Sequence, residues 1–134
     1  MAHSFCKRAK DATEKKRKRA EKFEKLVAAV VEHGHWINSV RNFKAFGAGS
    51  EPTVSPIVKI RAISATYFPE FEQLVLHLEI VSTTYEKWML ETEQKRLEGE
   101  SYLLGGHDDV VKRYLEKREA LLNELRSFAR REFQ

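Results

Sequence analysis

The sequence predicts an all-α protein: an antiparallel up-down bundle of three long helices plus one short helix, with no β-sheet. Apolar residues recur every three or four positions along most of the 134 residues, which is the period of an α-helix. Glycine and proline are absent from residues 1–33, 70–98 and 107–134, so each stretch can form a long uninterrupted helix. No window alternates strictly between apolar and polar residues, as a half-buried strand would.

The first long helix is predicted from about Asp11 to Phe46. Between Asp11 and Phe23 alanine is the only apolar residue type, so this part would fray or project as a solvated helix. Gly47 and Gly49 follow the last periodic residue and would end the helix. Its predicted buried positions are Phe23, Leu26, Val27, Val30, Val31, Ile37, Val40, and then Phe43 or Phe46.

The short helix is predicted to begin at Ser55-Pro56, a hydroxyl N-cap followed by a proline at the first helical position, where no backbone N–H is needed. Its inward face would consist of Ile57, Ile60, Ile63 and Tyr67. The helix reaches Phe68, because a proline disfavours α geometry in the residue before it. We expect a break or kink at Pro69 rather than a long loop.

The third helix is predicted over Glu70–Glu98, and the fourth from Asp108 or Asp109 to Phe133. An acidic residue at the start of the fourth helix suits the positive end of the helix dipole. The third helix has a heptad seam of Phe71, Leu74, Leu78, Val81, Tyr85 and Trp88, widened by Val75 and Met89. The stripe of the fourth helix consists of Val111, Tyr114, Leu115, Leu121, Leu122, Leu125 and Phe128.

Positive charge is concentrated near the N-terminus. Residues 7–22 contain nine Lys or Arg and three Asp or Glu, whereas the rest of the chain contains 15 and 17. The formal net charge of +4 therefore comes from one segment, and the basic surface of a dedicated nucleic-acid binder is not indicated. We divide the chain into a basic N-terminal tail or projecting helix start, residues 1–22, and a helical bundle domain, residues 23–134.

The densest part of the basic segment supplies the candidate anion-contact residues, Lys15, Lys16, Arg17, Lys18 and Arg19. Three interpretations stay open: a solvated helix start, a phosphate-binding surface, or a nuclear-localisation cluster. The segment lacks the aromatic side chains that stack on single-stranded bases, and it has no recognition-helix pattern. An anionic membrane surface is therefore favoured over sequence-specific DNA as the partner of this segment. Each Lys or Arg near such a surface contributes about 1 kcal/mol to the free energy of binding.

No catalytic, cofactor-binding or metal-binding residue is predicted. A di-iron bundle needs two Glu-x-x-His pairs, and the one such spacing here is Glu32 to His35. His33 and His35 would point about 200° apart on a helix, so they cannot chelate a metal jointly. Cys6 is the single cysteine, which excludes an internal disulfide, and no nucleophile elbow, phosphate loop or dinucleotide motif occurs. The aromatic residues at helical spacing are interpreted as core rather than as a pocket for a small-molecule substrate: Trp36, Tyr67, Tyr85 and Trp88.

These observations predict a non-enzymatic helical bundle that acts as a protein-interaction or self-association module, with a protein partner or a second copy of the chain. The heptad seam of the third helix and the stripes on the long helices carry this prediction. The alternative is a binder of anionic surfaces, either membrane headgroups or nucleic acid, through residues 7–22. The longest apolar run, Leu26–Val31, is too short to cross a bilayer. We therefore expect a cytoplasmic protein, or the soluble part of a membrane-anchored one if an anchor precedes residue 1.

Overall fold

A computed structural model describes residues 2–99 and 105–134, with side chains from residue 6 onward. It contains four α-helices: α1 (Ala2–Phe46), α2 (Ile57–Tyr67), α3 (Glu72–Leu97) and α4 (His107–Glu132). A 3-10 turn, Pro69–Phe71, joins α2 to α3. There is no strand within these ranges, so the all-α prediction is confirmed. Within the same two ranges, none of the helices combines the length and the apolar character needed to cross a membrane.

Helix α1 begins at Ala2, well before the expected start near Asp11, and its 45 residues extend about 68 Å at 1.5 Å per residue. Its first half consists mainly of Lys, Arg, Glu and Ala, which are good helix formers. Arg17 also pairs with Glu14 and Glu21, three residues before it and four residues after it. These local interactions favour a helix over residues 6–18, which contain no large apolar side chain that could be buried.

The break predicted at Pro69 is present. Phe68 leaves helical geometry, with φ −138° and ψ 61°, because α geometry is disfavoured in the residue before a proline. The Phe68 side chain is fully buried and holds this turn against the core. At the other end of α2, the Ile57 N–H donates a 3.2 Å hydrogen bond to Ser55 Oγ. The serine therefore satisfies one of the first backbone N–H groups of the helix, as expected.

Contacts at the two ends of the bundle identify which helix ends meet. At one end, the Arg19 guanidinium lies 3.7 Å from a carboxylate oxygen of Glu70 and 3.6 Å from one of Glu132. At the other end, Lys44 Nζ of α1 lies 4.0 Å from Glu93 Oε1 of α3. Helix α3 packs against α1, α2 and α4. These contacts are compatible with the predicted up-down course of the chain.

One hydrophobic core fills the space between the helices. The large apolar side chains that are most deeply buried are Leu26, Val30, Ile37, Ile60, Phe68, Leu78, Tyr85, Met89, Leu121 and Leu125. Four phenylalanines lie at the end of the core nearest Arg19, with ring centroids of contacting pairs 5.2–6.4 Å apart: Phe23, Phe68, Phe71 and Phe128. The core therefore extends up to the point where α1 leaves the bundle.

Two predicted core positions are wrong, because Val31 and Leu115 are 38% and 47% exposed. Of the alternatives Phe43 and Phe46, Phe43 is half-buried and Phe46 is 38% exposed. On α1, residues that the apolar pattern had passed over are buried instead: Ala29, His33 and Ala45. The helical period explains the error at Val31. This residue follows the buried Ala29 by two positions, so it lies about 200° around the helix from it.

The buried seam of α3 is rotated from the predicted one. Leu74 and Val81 are half-buried, whereas two hydroxyl residues, Ser82 and Thr92, are buried. The Ser82 and Thr92 hydroxyls donate to carbonyl oxygens four residues earlier, at 2.7 and 2.9 Å. Because each hydroxyl is paired within the helix, its burial leaves no polar group without a partner. A pattern built from apolar residues alone misses such positions.

Candidate interaction surfaces

The N-terminal part of α1 extends outside the bundle. Residues 6–18, called the basic arm below, are exposed at every position, and the first half-buried side chain is Arg19. The arm contains seven Lys or Arg and two acidic residues. Thirteen helical residues span about 20 Å. The arm therefore presents dense positive charge and no large apolar side chain, with the exposed Cys6 at its start.

The predicted anion-contact residues fall into two groups. Lys15, Lys16 and Lys18 are exposed and form no ion pair with any described residue. Arg17 forms ion pairs with Glu14, one turn before it, and with Glu21, one turn after it. Its 2.8 Å hydrogen bond and its charge lower the pKa of the Glu14 carboxyl. The three lysines are therefore the members of the set with charge available to a partner.

Arg19 belongs to the end of the bundle rather than to the exposed arm. Besides its ion pairs with Glu70 and Glu132, its Cζ lies 5.1 and 5.2 Å from the ring centroids of Phe68 and Phe128. The face of an aromatic ring attracts a cation. Arg19 thus fixes the position at which α1 leaves the bundle.

The inward face of α1 continues into the basic arm as a row of cations. Arg8 precedes Leu26 by eighteen residues, which is five full helical turns, so both lie on the same helix face. Ala12, Lys15 and Arg19 follow Arg8 on this face at steps of four, three and four residues. The face of α1 that contacts other helices inside the bundle is therefore basic where no helix covers it.

A second exposed surface lies on α3, on the side away from the core. Four aliphatic side chains that are 46–71% exposed share this face and are called the α3 outer stripe: Leu76, Ile80, Leu90 and Leu97. Thr83 and Thr84 lie between them, and their hydroxyls donate to carbonyl oxygens four residues earlier, at 2.9 and 3.1 Å. Because these hydroxyls are paired within the helix, the threonines do not interrupt the stripe with unpaired polar groups.

Carboxylates surround the α3 outer stripe. Glu72, Glu91 and Glu98 are exposed and form no ion pair with any residue that the structure describes. Two lysines lie close to these carboxylates: Lys87 within the stripe, and Lys95, four residues after Glu91 and three before Glu98. The outer face of α3 is therefore an aliphatic row in an acidic surround, and the basic arm carries the opposite charge.

An open groove of about 660 Å³ runs between α2 and α3 beside the outer stripe. Val58, which is 63% exposed, and Ala62 line its α2 side, and Leu76 lines its α3 side. An ion pair of 3.3 Å between Arg61 and Glu79 also borders the groove. The groove therefore widens the apolar surface next to the stripe.

A polar pair lies inside the core between α1 and α4. His33 is 1% exposed, and its Nδ1 is 2.7 Å from the Tyr114 hydroxyl oxygen. Burial, together with the positive charge of Arg118, lowers the pKa of His33 to about 4, so the imidazole is neutral near pH 7. Burial also raises the pKa of Tyr114. The pair joins two helices, and the seven-residue step from Leu26 to His33 was the sequence signal for its position.

The remaining polar and aromatic candidates on α1 have structural contacts. Glu32 forms an ion pair of 3.8 Å with Lys59, and His35 is exposed. Among residues 2–99 and 105–134, no group of three or more His, Cys, Asp or Glu side chains is placed to hold a metal ion. Trp36 is half-buried and donates its indole N–H to the Thr53 carbonyl oxygen at 2.7 Å, so it anchors the segment between α1 and α2.

Comparison with known proteins gives no functional assignment. No protein-family model, no curated protein and no solved structure matches the chain. The basic arm and the α3 outer stripe are the two exposed surfaces from which a function can be inferred.

Proposed function

We propose that the protein is a non-enzymatic interaction module that associates with further copies of itself. The α3 outer stripe carries the proposal, because four large aliphatic side chains that are 46–71% exposed lie on one face of a helix. Exposed large apolar side chains that are grouped on one helix face can form a protein–protein contact. Helix α3 already packs against three other helices, so its outer face is the side left for a further helix.

The free energy available from the stripe is comparable with the cost of association. Full burial of a Leu or Ile side chain contributes about 1.5–3 kcal/mol, so covering the exposed half of four such side chains contributes about 3–6 kcal/mol. Two stripes per dimer contribute about 6–12 kcal/mol, against an association cost of about 4–15 kcal/mol. The stripe supports a weak to moderate dimer rather than a permanent one.

For the bundle itself we propose the antiparallel up-down order of helices. The contacts of Arg19 with Glu70 and Glu132 at one end, and of Lys44 with Glu93 at the other, support this order. In such a bundle successive helices pack side by side through short connections. The order leaves the outer face of α3 uncovered along its length.

The test is the molar mass of the chain in solution, measured by sedimentation velocity over a range of concentrations. We expect a mass that rises above 15.6 kDa with concentration. Leu90→Lys should shift the chain to the monomer, because it places a charge in the stripe. Leu115→Lys is the matched control, since Leu115 on α4 is 47% exposed and Leu90 is 52% exposed. A monomer at every concentration would contradict the proposal.

A second candidate function is binding of an anionic surface through residues 7–22, which the unpaired Lys15, Lys16 and Lys18 favour. Each Lys or Arg near an anionic membrane contributes about 1 kcal/mol. Without a large apolar side chain to insert, such binding is electrostatic and weakens with salt. Membrane headgroups are the preferred partner and nucleic acid the less favoured one. For either function we propose the cytoplasm as the compartment.

Cosedimentation with lipid vesicles tests this second function. Vesicles that contain phosphatidylserine should bind the chain at low salt, whereas phosphatidylcholine vesicles should not. Replacing the three arm lysines, Lys15, Lys16 and Lys18, by glutamine should abolish binding. The control replaces three exposed lysines outside the arm by glutamine: Lys25, Lys112 and Lys117. Equal loss in both variants would show that only total charge matters.

A further inference from the structure

We propose that the basic arm of one copy binds the α3 outer stripe of a second copy. The inference rests on the proposed self-association and names the two surfaces that meet. Both surfaces are exposed in the single chain. Each also carries unpaired charge of the sign opposite to that of the other.

Charge spacing identifies the basic arm as the occupant of the stripe. Glu91 and Glu98 are seven residues apart on the outer face of α3, which is about 10.5 Å along the helix. Arg8 and Lys15 are also seven residues apart on one face of the arm, so the same distance of about 10.5 Å separates them. When the two helices lie side by side, both cations can face both carboxylates at once.

The shape of the arm also suits an aliphatic surface. Ala12 lies between Arg8 and Lys15, and its small side chain allows the arm backbone to approach the stripe closely. The methylene chains of Arg and Lys can cover apolar surface while their charged ends remain in water. The side-chain stems would therefore cover Leu90 and Leu97, and the charged ends would reach the neighbouring carboxylates.

The arm cannot reach the outer stripe of its own chain. Helix α1 is continuous from Ala2 to Phe46, and Arg19 fixes its exit from the bundle beside Glu70. Helix α3 starts at that point and runs alongside α1 away from the arm, because Lys44 contacts Glu93 at the other end. A second copy must therefore supply the arm that covers the stripe.

Contact between two basic arms, or between two outer stripes, is disfavoured because charges of the same sign repel each other. Two arms would bring seven cations from each copy together, and two stripes would bring together Glu72, Glu91 and Glu98 of both copies. Contact between an arm and a stripe places opposite charges next to each other. In a two-fold dimer the exchange is reciprocal, so each copy donates one arm and accepts one.

A charge swap on the full chain tests the inference, with dimerisation measured by sedimentation velocity at low salt. The arm variant, Arg8→Glu with Lys15→Glu, should weaken dimerisation about tenfold or more, because like charges then face each other. The stripe variant, Glu91→Lys with Glu98→Lys, should weaken it similarly. The variant with all four substitutions should recover most of the lost affinity, since opposite charges face each other again.

The control makes the same change of charge at two exposed positions of α4, Lys112→Glu with Lys117→Glu, and should leave dimerisation unchanged. If the chain dimerises but the four-substitution variant is no tighter than the arm and stripe variants, the arm is not the occupant, and only this inference fails. If the arm variant, Arg8→Glu with Lys15→Glu, no longer binds anionic vesicles but dimerises normally, this inference is overturned as well. A strictly monomeric unsubstituted chain would overturn the proposed function itself.

Discussion

The Nδ1 atom of His33 lies 2.7 Å from the hydroxyl oxygen of Tyr114, and this contact links α1 to α4 inside the core. The surroundings favour the neutral imidazole, because a charged one would lose its hydration and lie near the positive charge of Arg118. The packing of α1 against α4 is therefore coupled to the protonation state of one buried side chain.

We expect the free energy of unfolding to fall as the pH is lowered from about 6.5 to about 4. The pKa of His33 is lowered from 6.5 to about 4 in the folded chain, so between these values the unfolded chain binds a proton that the folded chain excludes. The full loss is about 3 kcal/mol, and the stability is complete above pH 6.5. Urea unfolding over a pH series measures it.

His33→Gln should remove this pH dependence between about 4 and 6.5. His35→Gln, which changes an exposed histidine on the same helix, is the control and should leave the dependence intact. An identical pH profile for the original chain and for His33→Gln would mean that another group is responsible.

Leu78→Ala and Leu122→Ala should each lower the free energy of unfolding by about 2–5 kcal/mol. The two side chains are 0% and 6% exposed, so each truncation leaves a cavity in the core. Leu90→Ala is the control, because this residue is 52% exposed and its truncation should cost less than about 1 kcal/mol in the monomer. Urea denaturation provides all three values, and losses below about 0.5 kcal/mol at both core sites would contradict the assigned core.

Pro69→Ala should be neutral or mildly destabilising. The chain already breaks at Phe68, and the fixed φ of proline restricts the unfolded chain at the first position of the 3-10 turn. Thermal unfolding followed by circular dichroism measures the effect. A clear rise in the melting temperature would instead indicate that the proline strains one continuous helix.

Deleting residues 1–18 should leave the melting temperature nearly unchanged at protein concentrations where the chain is monomeric. The side chains of residues 6–18 are exposed and bury no apolar surface that unfolding would release. Arg19→Ala should lower the free energy of unfolding by about 1 kcal/mol, because it removes a cation from two phenylalanine rings and two carboxylates. Greater destabilisation by the deletion than by Arg19→Ala would show that the arm packs within its own chain.

The positions of the helices could be predicted well from the sequence. They follow from the three- or four-residue spacing of the apolar residues and from the glycines and prolines between the helices. Pro69 and the glycines after Phe46 mark boundaries that the folded chain respects within a few residues. The start of α1 could not be placed, since the exposed residues 6–18 have no apolar period to detect. Helix propensity and the ion pairs of Arg17 determine the structure there.

The details of the surfaces were harder to predict because polarity alone does not decide burial. Thr92 and His33 are buried, and the Thr92 hydroxyl and the Nδ1 atom of His33 each have a hydrogen-bonding partner in the fold. Leu90 and Leu97 have the same chemistry as core leucines, yet they lie on the opposite face of α3. Which of two apolar rows on a helix enters the core depends on the neighbouring helices, and a pattern read from one segment does not contain that information.

The continuity of α1 across the edge of the bundle has a mechanical consequence. A helix of 45 residues that is held along one part and unsupported along the other is a cantilever. A load applied at its tip produces the largest bending moment at the edge of the support, where Arg19 meets Glu70 and Glu132. That junction is the first place to yield, so force on the arm is felt at the start of α3 and the end of α4 before it disturbs the rest of the core.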